Sequence, residues 1–249
     1  MNLTHKEAIM FHKKCKFASL NTVLVITLIL FVSGCATTKP MESEQAQTLS
    51  LAQDSVAFII LKVSNQYKPS YQPFVDSMTV MKDDGKRLSF PVDKPYKQVV
   101  NQFNEYLITM SLPAGSYKIG RIYGVSGIFP ITGSFHIPVF SDFELKQNKF
   151  VYLGHIEATV RERKNKDELS AGPPIPLVDQ RATGFSGGTF DIKISDNFDG
   201  DIAIIKQKYP SLDNSSVEKA ILLPWKKPTA EVLYQYKSLQ SEINIPGTR

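Results

Sequence analysis

The sequence predicts a mainly β protein: an antiparallel β-sandwich of about seven to nine short strands, followed by short C-terminal helices. Three observations carry this. Short apolar or alternating runs recur between residues 55 and 195, turns containing Gly or Pro separate them, and the apolar spacing becomes helical only after residue 196. No helices alternate with the strands, which disfavours a parallel βαβ sheet and favours a sandwich.

Residues 55–63 open the series with a continuous apolar run (Val56, Phe58, Ile59, Ile60, Leu61) of the length of a buried strand. Residues 75–82 and 87–92 flank Asp83-Asp84-Gly85-Lys86, where Asp84-Gly85 is a strong hairpin-turn dipeptide. Residues 104–112 alternate, with Tyr106, Ile108 and Met110 on one face; Pro113-Ala114-Gly115 then turns the chain, and Tyr117, Ile119 and Ile122 resume the pattern. Further strand-like runs cover residues 135–139, 142–145, 150–160 and 189–194. Beyond them Asp199 is placed to cap a helix bearing Ile202, Ile205 and Tyr209 and ended by Pro210. Ser215 or Ser216 would cap a second helix, with Val217, Ala220 and Ile221 on one face, and a third over residues 229–239 would bury Val232, Tyr236 and Leu239. These helices are expected against the edge or open end of the sandwich, protecting it from edge-to-edge pairing.

Ahead of the body the chain reads as an address. His12-Lys13-Lys14-Cys15-Lys16 precedes a run from residue 20 to 32 dominated by Leu, Val, Ile and Phe. A basic segment followed by a short apolar one is the pattern of a signal peptide, and the run falls short of the ~20 residues a permanent membrane helix needs. A start at Met10 instead of Met1 would give the leader more ordinary proportions. The run ends in Val32-Ser33-Gly34-Cys35, which resembles the lipobox of bacterial lipoproteins. That resemblance implies cleavage between Gly34 and Cys35 and acylation of Cys35 on its thiol and new amine, with two or three chains anchoring stably where one would be marginal. It also implies outer-membrane sorting in a Gram-negative host, because Ala36 stands where an Asp tends to retain a lipoprotein in the inner membrane.

Of the formal charge of +5, Lys6, Lys13, Lys14 and Lys16 against Glu7 place +3 in the first 34 residues, leaving about +2 on the other 215. So small a balance disfavours a nucleic-acid binder. Cys15 and Cys35 are the only cysteines, so no disulfide framework follows cleavage, and a body of this length can build its core without one. The expected organisation is a leader over residues 1–34, a lipidated flexible tether over 35–54, the sandwich over 55–195, and a helical segment over 196–249 packed on it.

Few residues offer chemistry. Gly184-Phe185-Ser186-Gly187-Gly188 matches G-x-S-x-G, yet a nucleophile elbow needs a strand before the serine, a helix after it and a later histidine. A Pro-rich loop precedes Ser186, a strand pattern follows, and no histidine lies beyond His155, so a flexible strand start is the simpler reading. His136 and His155 each sit in a strand pattern. His155 and Glu157 share a face and form at most a weak acid/base or metal pair, so no metal, cofactor or catalytic residue is expected. The mixed-sign run from Arg161 to Glu168 reads as a solvated hairpin end. The aromatics of residues 120–140 (Tyr123, Phe129, Phe135, Phe140) read as core before glycan or partner surface, and Trp225 as a plug between a helix and the sandwich. Residues 169–188 read as a long structureless loop, either a mere insertion or, equally, a partner contact, since Pro173, Pro174 and Pro176 favour an extended conformation that a partner can recognise.

The body also resembles uncharacterised envelope lipoproteins with transthyretin-like or immunoglobulin-like sandwiches, on the stretches Leu112-Pro113-Ala114-Gly115-Ser116-Tyr117 and Asn148-Lys149-Phe150-Val151-Tyr152-Leu153-Gly154. The resemblance implies a fold more than an activity. The expected function is a non-catalytic structural or protein-interaction role in the cell envelope, with the membrane and another envelope protein as partners. The alternative is a periplasmic module binding envelope glycan or a small apolar ligand, and a hydrolase comes third.

Overall fold

The continuous apolar run of residues 55–63 lies in β1 (Ser55–Asn65), which is buried on both faces, and the rest of the body is arranged around it. The computed structural model describes residues 54–128, 131–173, 182–213, 216–229, 231 and 233. Ala57, Ile59, Leu61 and Val63 point into the main core, while Val56, Phe58 and Ile60 point the opposite way into a second cluster. A strand with two covered faces has no need of polar alternation, which is why its sequence is a continuous apolar run.

The strands that follow are β2 (Phe74–Lys82), β3 (Arg87–Pro91), β4 (Lys97–Val99), β5 (Phe103–Leu112), β6 (Gly115–Ile128), β7 (Ile131–Leu145), β8 (Phe150–Glu162) and β9 (Gly188–Ser195). A helix, α1 (Phe198–Lys208), precedes β10 (Val217–Lys219). They form two sheets: one in the order β10-β8-β1-β5-β4 with β9 also on β8, the other β3-β2-β6-β7. The inner faces of the two sheets meet in one core containing Ile59, Tyr106, Ile156, Met78, Ile122 and Ile137. The protein is thus a mainly β sandwich, as the sequence predicts. The β2–β3 turn is the expected one, with Gly85 at φ +82° and Lys82 N–H bonded to Lys86 O at 2.9 Å.

Four details differ from expectation. Among the described residues ten strands are present, because the short β4 and β10 carry too few residues to show a pattern, whereas the runs at 135–139 and 142–145 belong to one strand, β7, kinked at Phe140 (φ +44°). The sandwich is not wholly antiparallel: β8 runs parallel to β1, and β10 parallel to β8. The turn at residues 146–149 causes the first of these, since Lys149 N–H donates to Ser55 Oγ at 3.0 Å and Val56 N–H to Lys149 O at 2.8 Å, which starts both strands side by side. Side-chain alternation is blind to strand direction.

The third difference concerns the C-terminal segment. α1 forms where expected but lies on the outer face of the six-stranded sheet, with Ile202, Ile205 and Tyr209 packed on Val56, Phe58, Ile60, Leu107 and Tyr152. Its N-cap position is Asn197, and Asp199 lies inside the first turn. The expected second helix is instead β10: half of the β8 edge is taken by β9, and Val217 to Lys219 pair with the vacant half at Phe150 to Tyr152. Ala220 N–H then bonds Tyr152 O and Leu222 N–H bonds Leu153 O. An open sheet edge supplies backbone partners that outweigh a weak helical preference. Of the third expected helix, residues 231 and 233 are helical and Leu233 N–H bonds Thr229 O at 3.1 Å; Val232, Tyr236 and Leu239 lie outside the described residues.

Finally, Trp225 plugs an extended segment, not a helix. Its indole donates to Pro138 O at 2.8 Å, fixing the chain after β10 against β7.

Candidate functional site

A bulge in β8 sets up the main polar cluster. Val151 and Leu153 point into the sandwich core and Tyr152 points out toward α1; Leu153 is the extra residue, and Gly154 (φ +126°) after it resets the alternation, so His155 joins Tyr152 on the outer face. There they meet Asp201, which the first turn of α1 presents at 1% exposure. Tyr152 donates to Asp201 Oδ2 at 2.6 Å and the Asn197 amide to Oδ1 at 2.9 Å, while His155 Nδ1 lies 3.0 Å from Oδ2. A buried carboxylate needs such partners. Burial, then the bond to Asp201, pushes the Tyr152 phenol well above its ordinary range, so it stays a donor.

Around this cluster Phe198 stands edge-on to the Tyr152 ring at 5.4 Å, and Lys219 of β10 pairs with Asp196 at 2.8 Å. His155 and Glu157 share the outer face of β8 but do not pair: Glu157 faces Lys193 of β9 at 3.9 Å, and His155 turns to Asp201. Ser195 stands opposite His155 in the β8–β9 register, while His155 Nδ1 faces Asp201. The arrangement fastens α1 to the sheet. Asp201 escaped the sequence reading because it lies 46 positions after His155, and nothing in local spacing joins them. Among the described residues no group of three or more His, Cys, Asp or Glu gathers as for a metal ion.

His136, on the outer face of β7, is pushed down to about 4 by burial and then by the nearby Arg121 charge, so it is neutral across the ordinary range. The aromatics of residues 120–140 divide: Phe135 is in the core against Phe185 (5.1 Å), whereas Tyr123 and Phe140 are half-buried on the outer face and Phe129 lies outside the described residues.

Residues 169–188, expected to be structureless, are ordered at both ends. Ala171, 1% exposed, bridges the two sheets: its N–H bonds Gly188 O at 2.8 Å, and its carbonyl accepts from His136 N–H at 2.8 Å. Gly172 N–H bonds Phe185 O, and the Ser170 hydroxyl reaches Gly172 O at 2.6 Å. The chain therefore leaves and returns at one fixed base. Pro173 is exposed there, while Pro174 and Pro176 lie outside the described residues. This base also explains the G-x-S-x-G match. Gly184 needs its φ of +86°, and a Cβ on Gly188 would stand 2.5 Å from Gly184 O. Ser186 sits in a turn followed by β9, without the strand–turn–helix frame of a nucleophile elbow.

Beside the base is a cleft of about 80 Å³ lined by Pro138, Arg161, Glu168, Phe190, Trp225 and Lys227. Ligand pockets start near ~300 Å³, so this one has room for a side chain. Arg161 grips Glu168 through two bonds of 2.6 and 3.0 Å and Asp191 through one of 2.8 Å. Those bonds, with one from Lys164 N–H, hold Glu168 down to about 2.

Gly34 and Cys35 lie outside the described residues, and no described helix is long and apolar enough to cross a membrane. No family model matches the chain, and no curated protein matches it. Among solved structures, a leucine-rich repeat protein from Bacteroides thetaiotaomicron is similar at 18% identity with a TM-score of 0.27. That alignment covers 42% of this chain and 14% of the other, and it carries no argument.

Proposed function

We propose that the chain is a lipid-anchored cell-envelope lipoprotein, held in the outer membrane through Cys35, whose sandwich has a non-catalytic structural or protein-interaction role in the periplasm. The observation that carries this reading is Val32-Ser33-Gly34-Cys35 at the end of a basic, then apolar leader. The interaction role draws support from the base of the Pro173 loop, because a recognition segment hung from fixed ends loses less entropy on binding than a free one. His155 and Asp201 are engaged in holding α1, and the cleft is too small for a sugar ring, which weighs against chemistry and for contact.

The test is crosslinking in the native envelope followed by recovery of the acylated protein. Replacing Pro173, Pro174 and Pro176 together by Ser keeps Ala171 and Phe185, so the body stays folded. The expected result is several-fold weaker recovery of a discrete partner. Undiminished recovery contradicts the loop's role.

A further inference from the structure

Strand β9 turns a run of main-chain groups away from the molecule. Arg163 N–H bonds Gly187 O, which puts Arg161, Thr159 and Glu157 of β8 in hydrogen-bonded pairs with Thr189, Asp191 and Lys193. The residues between, Gly188, Phe190, Ile192 and Ile194, therefore aim N–H and C=O outward. Gly188 O is taken by Ala171 N–H, but among the described residues Phe190, Ile192 and Ile194 have no strand on that side. The chain after β10 does not extend the sheet there: Leu222 enters the core and Trp225 bonds Pro138 O of β7, so it crosses to the other sheet. The other edges are guarded. β4 and β10 are three residues each, β3 ends at Pro91, which has no N–H, and β7 is met at His136 by Ala171 and at Pro138 by Trp225.

The side chains of this edge fit a second copy of themselves. Antiparallel pairing about Ile192 sets Ile192 opposite Ile192 of the second copy, Phe190 opposite its Ile194, and Asp191 opposite its Lys193. On the inner face Ile192 and Ile194, which pack on the core while only partly buried, gain apolar cover. On the outer face each row runs from Asp191 to Lys193 and then Glu157 of the second copy, alternating in sign. Asp191 also holds Arg161 at 2.8 Å and Lys193 stands 3.9 Å from Glu157, yet their side chains stay 61% and 73% exposed. Exposed pairs contribute little affinity, so these charges act on register: centring the pairing on Asp191 or on Lys193 sets like charges face to face.

We infer that the chain forms a two-fold dimer through β9, joining the six-stranded sheets of two copies edge to edge. The contact is isologous, the same residues serving on both sides. Main-chain hydrogen bonds of Phe190, Ile192 and Ile194 supply its affinity, and Asp191 with Lys193 its register. It needs neither an acylated residue nor the Pro173 loop.

Disulfide trapping of the full-length protein in mild detergent tests the contact. Asp191→Cys and Lys193→Cys are made in separate chains, then mixed and oxidised. Facing residues of a non-hydrogen-bonded pair lie ~4.5 Å apart between Cα atoms, within disulfide reach, whereas position 191 lies ~7 to 8 Å from its own counterpart. The expected result is a covalent dimer several-fold more abundant in the mixture than in either variant alone, with 191 joined to 193 in the linked peptides. Peptide mass separates it from any adduct of Cys15 or Cys35. Adding Ile192→Pro to both chains removes an outward N–H and should abolish the dimer while the far-ultraviolet circular dichroism stays unchanged; if that variant unfolds, the comparison of mixed and single chains decides alone. Equal dimer in the mixture and in each variant alone, no dimer in any of them, or a dimer that survives folded Ile192→Pro would overturn the inference.

Discussion

Asp201 shows how much depends on single side chains. Removing it strands the Tyr152 hydroxyl and the Asn197 amide on the sheet's outer face, and bonds to a charged group contribute roughly 1.5 to 3 kcal/mol each. We expect Asp201→Ala to cost about 3 to 5 kcal/mol, and Tyr152→Phe about 1 to 2 kcal/mol, read as shifts in the urea midpoint with unchanged slope. His136 supplies a pH dependence. Its folded value of about 4 lies below the ordinary histidine value of 6.5, so the unfolded chain takes up the proton first. Stability is fully present above pH 6.5 and is lost as pH falls toward 4, by up to ~3 kcal/mol. Denaturation midpoints of His136→Gln should therefore change less between pH 7 and 4 than those of the wild type; an identical slope would contradict the assignment. Neither site was legible in sequence beyond its residue type, because each depends on a partner far along the chain or on a burial that only the sheet creates.

The elements were more legible than their directions. Alternation located β2, β3, β5, β6, β8 and β9, and the continuous run of β1 foretold its double burial. What alternation leaves open is which edge accepts which strand: the parallel β1–β8 pair was settled by the bonds between Ser55, Val56 and Lys149, and the strand character of Val217 to Lys219 by the half of the β8 edge that β9 leaves vacant. Glycine positions test this packing. A Cβ on Gly124 would stand 2.1 Å from Phe74 O and 2.6 Å from the Phe135 ring. Gly124→Ala should thus destabilise by about 1 to 3 kcal/mol through overpacking, measured by thermal melting, with no change in strand content by circular dichroism. Phe58→Ala, which opens the α1 face of β1, should cost about 3 to 5 kcal/mol.

At the scale of the molecule, a sandwich whose polar cluster holds a helix and whose cleft admits one side chain is best understood as a body to be positioned. The leader and Cys35 would supply that position, and they are sequence features whose meaning is chemical and independent of the fold. Metabolic labelling with a clickable fatty-acid analogue, comparing the wild type with Cys35→Ser, tests the placement most directly. The account predicts a labelled wild-type band whose first residue is an acylated Cys35, and an unlabelled variant that keeps its leader. A wild-type protein that remains unlabelled with residues 1–34 attached would contradict it.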